Sequence, residues 1–293
     1  MPRPASAAPL LVLAALLPAL TAQGAQAQTL PAQAFYLGLG GAYADADFGR
    51  QDVFAVGTSD VYEGGTLVAT GTAAGPARFS MPDASGLAPA LQGGYFRQAP
   101  GGDWVWGTKL SYAYLDASAS LRDVRMPQAG EFTTVATGEV TPFTGNAVAQ
   151  SYETGVTHQF ALMPFAGRTF ERGFFYLGAG PTLSRVETEI GGLVGFADID
   201  GVRQDISGPP QDFSSSDWVW GGAVTVGVTY FVSEQLFLDL SYAYGRTRTY
   251  EGDYSSSFVN PAADGRTTEG TLVGSSSRRL ETQVVAFTLN WAF

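Results

Sequence analysis

Hydrophobic and polar residues alternate along eight segments of the chain, as in β-strands that have two different faces. Residues 280–293 show this best, because Val285, Phe287, Leu289, Trp291 and Phe293 all fall on one face. Each segment is long enough for a tilted strand to cross the hydrocarbon core of a membrane. The alternation therefore predicts an all-β chain whose strands cover residues 34–45, 86–97, 104–115, 155–169, 174–186, 217–232, 236–246 and 280–293.

The connections between these segments alternate between long and short. Short turns cover residues 98–103, 170–173 and 233–235, and long connections cover 46–85, 116–154, 187–216 and 247–279. This sorting is typical of membrane barrels and not of soluble sandwiches. It predicts an eight-stranded antiparallel up-and-down transmembrane β-barrel with short periplasmic turns and four long extracellular loops. Because residues 65–72 and 188–196 are themselves β-prone, we expect some strands to continue above the membrane as hairpins.

The two faces of the predicted strands differ in size and polarity. One face carries large apolar residues with aromatics near its ends, and the other carries mainly small residues with few charges. A soluble barrel would bury the large face and would need charges on the other, so we expect the large face to meet lipid and the small face to line the lumen. The predicted aromatic girdles are Trp104, Trp106, Tyr112, Tyr114, Trp218, Trp220, Tyr230, Tyr242 and Tyr244.

The pentapeptide DWVWG occurs at residues 103–107 and again at 217–221. The first copy follows a short turn and the second follows a long connection, so they are expected at opposite rims of the barrel. Tryptophan prefers the membrane–water interface, where its amphipathic ring sits among the headgroups. The repeat therefore indicates the depth of each rim in the membrane rather than a duplicated binding site.

The first residues of the chain indicate export. Arg3 precedes an apolar run at residues 7–20, and a small-x-small sequence ends at Ala27. This order is typical of a secretory signal peptide, so we expect residues 1–27 to be cleaved and residues 28–293 to form the barrel domain. The net charge of −11 argues against nucleic acid as a partner.

The C-terminal sequence VVAFTLNWAF resembles the last strand of bacterial outer-membrane barrels, with the match at Val285, Phe287, Leu289, Trp291 and Phe293. The sequences FYLGLGGAY and LSYAY resemble small porin-like barrels of the outer-membrane-protein-A and opacity-protein type. The resemblance implies a Gram-negative outer-membrane location and a C-terminal signal that the barrel-assembly machinery reads. Outer-membrane lipid and lipopolysaccharide are the other partners it implies, and we expect a monomer.

No constellation in the sequence predicts catalysis, so we expect neither an enzyme nor a cofactor. His158 is the one histidine, and no serine stands two residues from it. A nucleophile needs a base within hydrogen-bond reach, so a lipid-A-modifying enzyme is only a remote alternative. The acids at residues 198–200 are a fragment of a calcium-loop pattern that lacks the terminal glutamate, and no metal site is expected.

Lys109 and Asp239 each directly precede a copy of LSYAY, which places them at equivalent heights on the lumen side. A contact between them would plug the lumen, whereas in a wet lumen the same groups would line a narrow pore. A third arrangement leaves each charge with other partners. The sequence thus predicts an outer-membrane barrel with a structural or surface-interaction role and a largely closed lumen. The alternative is a narrow porin-like channel for ions or small solutes.

Overall fold

The computed structural model describes residues 30–199 and 201–293, so the predicted signal peptide at residues 1–27 lies outside it. Within these ranges no helix is long and apolar enough to cross a membrane. The described strands are β1 Gln33–Asp47, β2 Arg50–Glu63, β3 Thr66–Ser80, β4 Ala84–Gln98, β5 Trp104–Thr134, β6 Val140–Phe170, β7 Gly173–Ile199, β8 Val202–Asp205, β9 Gln211–Phe231, β10 Leu236–Thr247, β11 Tyr250–Pro261, β12 Arg266–Arg278 and β13 Glu281–Ala292.

Eight strands close into a ring in which every neighbour is antiparallel. The order is β1, β4, β5, β6, β7, β9, β10 and β13, and β13 pairs with β1 from Tyr36↔Ala292 to Asp47↔Glu281. Closure matters because lipid offers no hydrogen-bond partner to an unpaired strand edge. The predicted eight-stranded up-and-down barrel is confirmed.

The ring continues into a second storey beyond the long-connection end. We call the ring itself the membrane tier. It contains β1, β10, β13 and residues 90–98, 104–114, 158–170, 173–185 and 218–231. The storey above it is the outer tier, which contains β2, β3, β8, β11, β12 and residues 117–134, 140–156, 186–199 and 211–217. The four long connections are therefore built mainly from paired strands, as the β-prone runs in two of them indicated.

The outer tier is a curved sheet that almost closes on itself. Its hydrogen-bonded order runs β11, β12, β2, β3, β5, β6, β7 and β9. The two end strands β9 and β11 touch without a backbone ladder, and one of their links is a side-chain hydrogen bond from Ser256 Oγ to Gln211 Oε1 at 2.8 Å. The contact between β9 and β11 is thus the weakest joint of this tier.

A second unpaired interval separates β4 from β5 above the membrane tier. The β4–β5 ladder ends at Ala90↔Ala113, and the β3–β5 ladder resumes only at Ala74↔Ala129. Proline lacks the N–H that a ladder needs, and four prolines stand within this interval. They are Pro76, Pro82, Pro89 and Pro127.

The outward face of the membrane tier carries large apolar side chains. Leu37, Leu39 and Leu177 are 64%, 67% and 66% exposed, and residues such as Ala42, Ala90 and Thr288 point inward and are buried. An apolar belt this extensive on a water-soluble surface would drive aggregation, whereas lipid matches it. The observed faces are those that the alternation predicted.

Candidate functional site

Lys109 and Asp239 meet in the middle of the lumen. They lie on β5 and β10, which are not neighbours in the ring, and both are almost fully buried. Lys109 Nζ lies 3.3 Å from Asp239 Oδ2. The structure therefore brings together the two charges that the sequence placed at equal heights.

Each of the two charges is satisfied by further hydrogen bonds. Lys109 Nζ donates to Tyr176 Oη at 2.6 Å, and Tyr176 Oη lies 3.0 Å and 3.1 Å from the two carboxylate oxygens of Asp239. Thr229 Oγ1 donates to Asp239 Oδ1 at 3.1 Å, and Gln92 Nε2 lies 3.3 Å from Oδ2. A buried ion pair persists only where its remaining lone pairs and protons find partners, and this network supplies them.

A second polar layer lies against the ion pair. Gln92 Nε2 donates to Asn290 Oδ1 at 2.7 Å, and Asn290 Nδ2 donates to Thr288 Oγ1 at 3.0 Å. Asn290 and Thr288 are both buried and lie on β13. Side chains from β4, β5, β7, β9, β10 and β13 thus span the lumen at one level.

An aromatic floor, which the sequence analysis did not foresee, closes the lumen at the short-turn end. Phe96 and Phe237 are buried with ring centroids 6.5 Å apart, and Phe231 lies 4.8 Å from Phe237. The expectation of a uniformly small inward face was wrong at this end, because the rings fill the section that small residues would leave empty. The six floor residues are Tyr36, Phe96, Phe165, Phe174, Phe231 and Phe237.

Above the ion pair the lumen opens into a small chamber. Its volume is about 60 Å³, and its walls are mainly alanine, serine and threonine side chains. Leu91 and Tyr112, which belong to the outward face, also border it where the β4–β5 ladder ends. The chamber holds a few water molecules at most.

A further apolar layer closes the chamber toward the outer tier. Phe48, Met81, Leu115, Tyr152 and Leu280 are all at least 95% buried and belong to one cluster. The axis of the barrel is therefore filled by an aromatic floor, a polar network and this apolar layer in succession.

His158 is an interfacial aromatic residue in this structure. Its Nδ1 lies 2.9 Å from Tyr112 Oη, and its ring stacks against Trp218 with a centroid separation of 6.2 Å. Its recorded partners are this hydroxyl and aromatic rings, with no carboxylate or serine among them. The arrangement lacks the nucleophile, base and orienting acid that acyl transfer requires.

The described residues contain no group of three or more His, Asp or Glu side chains that could hold a metal ion. The calcium-loop fragment at residues 198–200 includes residue 200, which lies outside the described ranges.

The aromatic residues proposed as girdles occupy both ends of the membrane tier. Trp104 and Trp106 are 55% and 51% exposed beside the 98–103 turn, and Trp218 and Trp220 are 48% and 58% exposed at the opposite end. Tyr230 lies near the 233–235 turn, and Tyr112, Tyr114, Tyr242 and Tyr244 lie toward the outer tier. The outward row of β13 holds Val285, Phe287, Leu289 and Trp291, and Phe293 follows the strand.

Sequence comparison identifies no relative, since no family model and no curated protein matches the chain. Structure comparison finds outer membrane protein OprG of Pseudomonas aeruginosa at a TM-score of 0.36 and 13% identity, covering 92% of this chain and 99% of that one. Neisserial surface protein A matches at a TM-score of 0.27 and 12% identity over 85% and 99% of the two chains. Ail of Yersinia pestis, in complex with the heparin analogue sucrose octasulfate, matches at 0.24 and 13% over 79% and 99%.

These likenesses concern the fold, and the strand pairing described above establishes it directly. Eight antiparallel strands close in a ring, and the large apolar side chains of the membrane tier point outward. The chain has the fold of the small eight-stranded bacterial outer-membrane β-barrels.

Proposed function

We propose that the chain is an integral outer-membrane barrel with a closed lumen and a structural or surface-interaction role. The observation that carries this proposal is the buried Lys109–Asp239 network, which spans the lumen directly above the aromatic floor. Conduction requires a continuous polar path that an ion can enter and leave. The filled section offers none in this conformation.

The outer tier supplies the surface for such a role. β5 and β6 are 31 residues long, whereas about 9–11 residues are enough to cross a bilayer. The remaining residues rise above the membrane as paired strands, so the tier presents a stiff wall instead of mobile loops. No nucleophile and base are paired for catalysis at His158, which supports a non-enzymatic role.

The route to the membrane completes the proposal. Residues 1–27 would direct export and be removed, and the outward row that ends at Phe293 would be read by the barrel-assembly machinery. Lipid and lipopolysaccharide would then surround the apolar belt of a monomer. Outward tryptophans at both ends of the membrane tier support this placement.

Planar-bilayer recording of the refolded protein tests whether the lumen is closed. The wild type is expected to give no reproducible conductance step, because the polar network and the aromatic floor both block the axis. Replacing Lys109 and Asp239 by alanine should leave the axis closed, since Phe96 and Phe237 remain. Adding Phe96→Ala and Phe237→Ala should open it.

Leu110→Ala, next to Lys109 but facing lipid, is the matched control and should stay silent. An ion-sized step in the wild type that the Lys109 or Asp239 variant abolishes would favour the narrow channel and overturn the closed lumen.

A further inference from the structure

Arg278 is a buried cation without a carboxylate partner. It is the last residue of β12, lies in the outer tier and is 3% exposed. Its Nε donates to Tyr250 Oη at 2.6 Å, and its Nη1 donates to Ser276 Oγ at 2.7 Å. In the part of the chain that the structure describes, no aspartate or glutamate forms an ion pair with it. Because a buried charge is costly unless it is paired, this guanidinium needs an explanation.

The tyrosines around Arg278 do not neutralise it. Burial raises the pKa of Tyr250 to about 12, even though the adjacent Arg278 charge acts in the opposite direction. Burial also raises the pKa of Tyr152, whose hydroxyl lies 3.4 Å from Arg278 Nη1. Both hydroxyls are therefore neutral at physiological pH. Asp217 influences Tyr250 electrostatically, but its side chain is exposed and forms no ion pair with Arg278.

One nitrogen of Arg278 points at a small cradle above Gly252. Its Nη2 is buried and has no hydrogen-bond partner among the described protein atoms. The position that a Cβ on Gly252 would occupy lies 3.6 Å from Arg278 Nη2, 3.4 Å from Ser215 Oγ and 3.6 Å from Ser276 Oγ. Three donors thus converge on one point that the missing side chain leaves open.

The hydrogen-bond inventory gives this point the chemistry of an anion site. Ser276 Oγ accepts from Arg278 Nη1, so its own proton is free to donate into the cradle. Ser215 contributes a second hydroxyl, and Arg278 Nη2 contributes a charged N–H. Separations of this size suit a monatomic anion better than a polyatomic one, because neighbouring atoms surround the point closely.

We propose that the cradle formed by Gly252, Arg278, Ser215 and Ser276 binds a small monovalent anion of the halide class. The three donors come from strands on both sides of the weak joint between β9 and β11, since Ser215 lies on β9 and the other two on β12. The anion would therefore link the two ends of the outer sheet where the backbone ladder is missing. This inference rests on the fold and is independent of the proposed function.

The test compares bromide with gluconate at equal ionic strength on the refolded full-length protein. Wild-type protein should gain on the order of 3 °C in apparent Tm when bromide is tenfold above its dissociation constant. Gly252→Ala is the sharpest variant, because its Cβ would make only ordinary contacts and would occupy the anion position. It should keep the Tm measured in gluconate and lose the bromide response.

Two arginine variants complete the design. Arg278→Gln should also lose the response, whereas Arg279→Gln, which alters the exposed neighbour, should keep it. Crystals soaked in bromide should show an anomalous peak above Gly252 in the wild type and none in Gly252→Ala, even if Arg278→Gln fails to fold. A bromide response that is equal in the wild type and Gly252→Ala, or a cradle that holds water alone in bromide, would overturn the proposal.

Discussion

Replacing Lys109 with methionine is expected to lower the free energy of unfolding by about 3–5 kcal/mol. The variant leaves Asp239 buried and charged without its cation, although Tyr176 and Thr229 still donate to it. Removing one partner of a buried pair costs more than removing both, because the survivor keeps its desolvation penalty. Urea unfolding of the refolded protein in detergent, followed by tryptophan fluorescence, measures the loss.

A double-mutant cycle separates the ion pair from general damage to the lumen. Lys109→Met combined with Asp239→Leu should be more stable than the sum of the two single losses predicts. The exposed pair Arg168–Asp103, with a separation of 3.5 Å, is the control, and Arg168→Met should cost no more than about 1 kcal/mol. Strictly additive losses at Lys109 and Asp239 would show that the two charges do not act as a pair.

Gly40→Ala is expected to be strongly destabilising, and Gly41→Ala close to neutral. A Cβ on Gly40 would overlap the carbonyl oxygen of Phe287 and approach Thr288 Cα to 2.7 Å, at the β1–β13 closure of the ring. A Cβ on Gly41, which faces outward, meets nothing nearer than Ala88 O at 3.9 Å. Overpacking of this kind costs about 1–3 kcal/mol, and here it acts on the ladder that seals the barrel.

The folded fraction of each glycine variant, read from the mobility of unheated samples in gel electrophoresis, checks the contrast. Equal folding of the two variants would contradict the β1–β13 register.

The strands of the membrane tier and the direction of their faces could be predicted because the pleat of a strand translates directly into alternation along the sequence. Lys109 and Asp239 could be placed at equal heights because each precedes the same pentapeptide. Their contact could not be derived, since it depends on how β5 and β10 face each other across the ring. A one-dimensional pattern contains no information on that distance.

The aromatic floor and the outer tier escaped prediction for different reasons. Phe96, Phe231 and Phe237 look like ordinary strand aromatics, and only the narrow lumen makes them a seal. The outer tier pairs strands that are remote in sequence, such as β2 with β12, and no local signal sets that register.

Arg278 carried a signal that could have been used. It stands beside Arg279 in the sequence SSSRRL, and the two look alike until the parity of β12 turns the first inward and leaves the second exposed.

The central claim is that the membrane tier lies in lipid and the outer tier stands in water, and spin-label accessibility along β5 tests it most directly. The chain contains no cysteine, so single cysteines can carry the label without background. Thr108 and Ser120 both point outward, the first in the membrane tier and the second in the outer tier.

In lipid vesicles, a label at Thr108 should collide with oxygen and be shielded from a water-soluble nickel complex, whereas a label at Ser120 should be reached by nickel. Nickel access at Thr108 in the folded protein equal to that at Ser120 would contradict the account.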